Sequence, residues 1–175
     1  MIYDRNAAVA YAEKWAYGRN PEFYDFSKLG GDCTNFASQV LYAGSGVMNY
    51  TRIYGWYYIS LNERAPAWTG VNELYRFLVS NQGPGPQAIV TGLDRIEKGD
   101  IIQLKFNDSE RFDHSPVVTD PGLRTPDTIL LAAHSNDALC RPLSSYNYKE
   151  LRPLHIVNVG EQTNANTNRK ELLET

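Results

Sequence analysis

Gly30-Gly31-Asp32-Cys33-Thr34-Asn35-Phe36-Ala37-Ser38-Gln39-Val40-Leu41-Tyr42-Ala43-Gly44 is the stretch on which the fold turns. Phe36, Val40 and Ala43 recur at helical spacing, and Gly44 supplies a stop. The glycines at 30 and 31 let the backbone pass close to a neighbour or a ligand, and Cys33 falls at the helix start. Amide groups in a first helical turn have no partner within the helix, so a thiol there meets N–H donors and the positive end of the helix dipole. A thiol attacks carbonyls only as thiolate, and such a setting lowers its pKa from the free value near 8.5. Cys33 is therefore expected to be a reactive thiol. Free cysteines are also among the most buried residue types, and from this local stretch alone a small buried hydrophobe is an equal reading.

Upstream, Asp4 can cap a helix whose apolar positions Ala8, Tyr11, Ala12 and Trp15 form one face, ending at Gly18. Downstream, Val71, Leu74, Tyr75 and Leu78 mark a helix from Val71 to Val79, and Gly83-Pro84-Gly85-Pro86 breaks the chain behind it. The pattern then changes to short apolar runs bounded by turn residues. Strands are expected at Asp100 to Phe106, His114 to Thr119, Thr128 to His134 and Leu154 to Val159. Helices first and strands afterwards give an α+β fold, with the N-terminal helices packed on a central antiparallel sheet. Pro116 removes a ladder donor two residues after His114, so that strand should be an edge or bulged. One domain is expected over 1–161, with a polar, frayed tail over 162–175.

A cysteine nucleophile needs a base, and the chain has 3 His. His114 opens a strand and can project from a sheet end toward the Cys33 helix. His134 closes the next apolar run and can orient the His114 ring, giving a Cys33, His114, His134 set. An isolated histidine is more often a satisfied structural residue, and His155 fits that description best.

The run Gly31 to Gly44 closely resembles the signature of the bacterial "Putative amidase domain" family, related to the NlpC-type and CHAP cell-wall hydrolases of the papain-like superfamily. Gly55-Trp56-Tyr57-Tyr58, Trp68 to Tyr75, Lys98-Gly99-Asp100-Ile101-Ile102 and Ala133-His134-Ser135-Asn136-Asp137 are similar to the same family in the same order. The resemblance covers about residues 3 to 160 and implies a papain-like (NlpC/CHAP-type) fold. It implies Cys33 as nucleophile, His114 as base and His134 as the orienting third residue, with Asn136 and Asp137 as rivals for that place. Asp32, before the nucleophile, would stabilise the loop or help bind substrate.

The resulting expectation is a cysteine amidase or peptidase, a hydrolase that cleaves amide bonds through an acyl-enzyme. Its partner would be a peptide or amide substrate, with bacterial peptidoglycan a candidate, and its place the cell envelope or the outside of the cell, although no signal peptide begins this sequence. An acyltransferase or transpeptidase on the same residues is one alternative. Another is a non-catalytic peptide- or glycan-binding module with Trp56, Tyr57 and Tyr58 as a stacking platform. No cofactor is implied, and Cys33, Cys140, His114 and His134 lack the short paired spacing of a zinc motif. A net charge of -3 without a clustered basic stretch argues against nucleic acid, and no apolar run is long enough to span a membrane. Cys33 and Cys140 should not be bridged, because a disulfide would consume the nucleophile.

Overall fold

The computed structural model describes residues 1–162 together with 164, 169–171 and 173. The tail expected over 162–175 lies for the most part outside them. Helix α1 (Arg5–Trp15) begins at Asp4, whose carboxylate accepts from the Ala7 amide at 2.9 Å. It ends at Ala16, two residues before the expected Gly18; the Ala16 amide makes the last bond of the helical pattern, to the Ala12 carbonyl, and the Gly18 amide closes instead on the Trp15 carbonyl three residues back. Helix α2 (Cys33–Ser45) runs one residue through Gly44 and stops at Gly46, which takes the left-handed φ of 67°. Gly44 has a different duty: a Cβ there would lie 2.3 Å from Cε2 of Tyr3, so its bareness lets the N-terminal segment cross the helix. A short α3 (Pro66–Thr69), absent from the sequence expectations, leads into α4 (Val71–Ser80).

Among the described residues six strands follow: β1 (Gly85–Val90), β2 (Ile101–Lys105), β3 (Val117–Asp120), β4 (Leu130–Ala133), β5 (Ala138–Pro142) and β6 (Glu150–Gly160). They form one antiparallel sheet in the order β1-β6-β2-β3-β4-β5. The architecture is α+β, with a six-stranded antiparallel sheet and helices, as the order of patterns in the sequence implied. β1 and β5 were not expected.

Residues of the central strands divide between two cores by strand alternation. Ile101, Val117, Ala132 and Leu154 join Phe36, Val40, Leu41 and Trp68 of the helices in the larger core. Their neighbours Ile102, Val118 and Leu131 join Ile96, Ile129, Leu143 and Tyr146 in the second. Both faces are thus buried, which is why these strands read as continuous apolar pairs rather than as alternation.

The break at Pro116 is real, but β3 is an inner strand rather than an edge. His114 makes only an isolated bridge to Leu104, its carbonyl accepting from the Leu104 amide at 3.0 Å. The regular ladder resumes after proline with Ile101 opposite Val117. The segment His114-Ser115-Pro116 is therefore held to the sheet without following its pleat.

Candidate functional site

Cys33 is the first residue of α2 and is half-buried. Its sulfur is faced by the backbone amides of Thr34 and Ser115, and the Thr34 hydroxyl lies 3.7 Å away. Ser115 immediately follows His114, so the helix start and the irregular segment before β3 meet at this thiol. Their contact is fixed by a buried hydroxyl relay: Thr34 Oγ1 donates to Ser115 Oγ at 3.2 Å, and Gln103 Nε2 donates to the same oxygen at 3.2 Å. Nothing in the sequence singled out Thr34 or Ser115 for this role.

Burial pushes the Cys33 thiol up, against the lowering by its neighbouring amides and hydroxyl. This differs from the expectation of a low-pKa thiol. The helix start alone does not offset desolvation, and no imidazolium stands by, because burial, with the Arg141 charge second, pushes His114 down from 6.5 to about 4. Both groups therefore rest neutral near pH 7. His114 is 7% exposed and lies between the rings of Tyr146 and Phe106, at centroid distances of 5.8 and 6.1 Å. It lines a cavity of about 360 Å³ together with Phe106, Ser135, Asn136, Arg141, Tyr146 and Asn147.

Asp32 is completely buried and joins four parts of the chain. Oδ1 accepts from the Phe26 amide at 2.8 Å and from Asn35 Nδ2 at 2.8 Å. Oδ2 accepts from His134 Nδ1 at 2.5 Å and lies 3.7 Å from Arg19 Nε. Its own backbone amide donates to Ser135 Oγ at 2.9 Å. A buried carboxylate is tolerable only when so partnered, and these partners fasten the loop before Cys33 to the end of β4.

His134 sits elsewhere than on His114. Its Nδ1 is held by Asp32, its Nε2 lies 2.8 Å from the Trp15 carbonyl oxygen and 3.2 Å from Arg19 Nη1, and its ring stacks on Phe36 at 4.0 Å. The expected hydrogen bond from His134 to the far nitrogen of His114 is not made, because both nitrogens of His134 are taken by the Cys33 loop and the end of α1. Asp137, the rival, is held by Arg19 through two contacts of 2.9 and 3.0 Å. Asn136, by contrast, lines the cavity with His114. Ser135 and Asn136 both have positive φ, 63° and 74°, as the central residues of a tight hairpin turn require.

Trp56 is fully buried, its Nε1 donating to Ser38 Oγ at 2.9 Å and its ring packed against Trp68 and Phe77. It supports α2 from the core and has no face open to a ligand. His155 is engaged with the buried Asp100 at 2.7 Å, beside Arg5, and so is a partnered structural residue. Cys33 and Cys140 are both free. Among the described residues no three His, Cys, Asp or Glu side chains cluster as metal ligands, and no helix is long and apolar enough to cross a membrane.

Fold and site together define an α+β domain in which a thiol at a helix start meets a histidine-bearing segment beside a polar cavity. The chain belongs to the "Putative amidase domain" family, whose model matches residues 2–157. It is similar to the uncharacterized protein YhbB of Bacillus subtilis (strain 168), with 36% identity over 119 residues. The match takes in 66% of this chain and 37% of that protein, so the chain spans well under half of its relative's length. No solved structure matches.

Proposed function

We propose that this domain is a papain-like cysteine hydrolase of amide bonds, with Cys33 as nucleophile and His114 as general base. The observation that carries the reading is the meeting at one thiol of the α2 start and the Ser115 amide, the residue next to His114, in a family described as an amidase domain. The neutral resting pair favours a concerted route. His114 accepts the thiol proton as the sulfur bonds to the carbonyl carbon, and the Cys33 amide with a neighbouring donor holds the developing oxyanion. The carbon–nitrogen bond then breaks, and His114 returns the proton to the leaving amine. In the second half His114 takes a proton from water, the hydroxide attacks the thioester, and the sulfur leaves to be reprotonated. Proton transfer in the free protein is uphill, since burial disfavours both charged forms, and formation of the new bond supplies the driving force.

In this account Asp32 and His134 are positioning residues that hold the Cys33 turn, rather than parts of a relay through His114. The resemblance of the Gly31 to Gly44 stretch to an amidase family related to the NlpC-type and CHAP cell-wall hydrolases supports peptides of the bacterial envelope as substrates. Incubation with purified peptidoglycan, followed by mass analysis of soluble fragments, tests the reading. New amine and carboxyl ends produced by the native chain, and abolished by Cys33→Ala and His114→Ala, are expected. Fragments released equally by Cys33→Ala would refute it, and transfer of the acyl group to an added amine in preference to water would make the domain a transferase.

A further inference from the structure

The cavity beside His114 has a cationic wall. Arg141 lines it, half-buried, with Nε donating to Ser145 Oγ at 2.9 Å and Nη2 to the Ser145 carbonyl at 3.1 Å. Its guanidinium lies flat over the Tyr146 ring, 3.7 Å from Cζ to centroid. It is thus rigid, yet no carboxylate of the described residues pairs with it, and its charge is felt at His114. Tyr146 itself is 8% exposed; its hydroxyl is buried, Arg141 is the polar neighbour that acts on it, and among the described residues no well-aligned hydrogen bond satisfies it. An orphan buried hydroxyl costs about 1–3 kcal/mol unless something satisfies it. A fixed, unpaired guanidinium beside such a hydroxyl suits an anion with planar acceptors.

We propose that Arg141 and Tyr146 form a carboxylate-binding subsite, so that this domain takes peptide or amide substrates bearing a free carboxylate close to the bond presented to Cys33. The inference rests on the amide-hydrolase reading for its meaning, but the subsite can be examined without turnover. An occupant would also screen the Arg141 charge that opposes protonation of His114, and so make His114 a better base in the complex than in the free protein. Asn136, on the same cavity wall, is placed to contact the peptide backbone of the occupant.

The test uses bromoacetyl-alanine and bromoacetyl-alanyl-alanine, each as free acid and as carboxamide, with Cys33 alkylation rates followed by intact mass. At least one acid should outpace its amide by about tenfold, the worth of one charge-assisted contact. The ratio should fall to near one in Arg141→Gln, recover in part in Arg141→Lys, and drop by about threefold in Tyr146→Phe. Calorimetric titration of Cys33→Ala protein with the acetyl analogues should show the same preference of acid over amide. Equal behaviour of acid and amide in both experiments, or a preference undiminished in folded Arg141→Gln, overturns the subsite. If the preference holds while no amide is hydrolysed, the subsite stands and the hydrolase reading falls.

Discussion

Replacing Asp32 with alanine removes a carboxylate that has no exposed surface and leaves four groups without their partner. The Phe26 amide and Asn35 Nδ2 each lose a bond of 2.8 Å. His134 Nδ1 loses one of 2.5 Å, and Arg19 loses a charge at 3.7 Å. Breaking a buried pair by removing one member costs about 3–5 kcal/mol, because the remaining groups stay buried and unsatisfied. Asp32→Asn keeps an oxygen for Phe26 and Asn35 but turns an amide toward His134, and about half that loss is expected. For a domain of this size 4 kcal/mol corresponds to a fall of about 8–16 °C in Tm. Urea unfolding followed by circular dichroism should show a lower midpoint at unchanged slope, which marks a change in stability rather than in the unfolded state. His134→Asn should couple to Asp32→Asn by at least about 1 kcal/mol in a double-mutant cycle. A loss below about 1 kcal/mol for Asp32→Ala, with no coupling to His134, would mean that the carboxylate is solvated and that this network does not hold the Cys33 turn.

Because His114 has its pKa pushed down to about 4 from 6.5, the unfolded chain binds its proton first as pH falls. Stability should therefore be full above pH 6.5 and decline as the pH falls through 4, by about 3 kcal/mol from this residue; equilibrium unfolding at stepped pH in native and His114→Phe protein checks it, and an identical decline in both would refute the assignment. Gly44→Ala should cost about 1–3 kcal/mol by thermal unfolding, since its Cβ would meet the Tyr3 ring at 2.3 Å, and relief of the loss by Tyr3→Leu would identify that clash. Thiol titration of unreduced, denatured protein should find both cysteines free, and a count near zero would contradict their separation.

The long elements with regular apolar spacing were legible in the sequence, since α1, α2 and α4 begin where capping and periodicity place them. β1 was not, because Gly85 and Pro86 read as breakers while Ile89 and Val90, which should be inside, are 41% and 52% exposed. β5 was hidden by an irregular register against β4 and by Cys140, whose φ of 55° interrupts any alternation. Of the candidate site, the thiol at a helix start was readable from local sequence; the strand expected from His114 begins only at Val117, after Pro116, and His114 itself is held by an isolated bridge. What His134 touches was not readable, because its partner Asp32 lies 102 residues away and two strands that are neighbours in sequence do not fix the direction of a ring. Burial decided the rest: helix position argued for a low thiol pKa, and desolvation, invisible in a single sequence, outweighed it.

Covalent catalysis by Cys33 with His114 as its base can be watched in the intact mass of protein quenched in acid during turnover of an acyl p-nitroanilide. One acyl adduct mapped to Cys33 is expected, absent from Cys33→Ala and formed at least about a hundredfold more slowly in His114→Ala. Its rate should have an acid limb near pH 4, where His114 takes up its proton. Release of p-nitroaniline with no adduct on Cys33, or at an unchanged rate in His114→Ala, would contradict it.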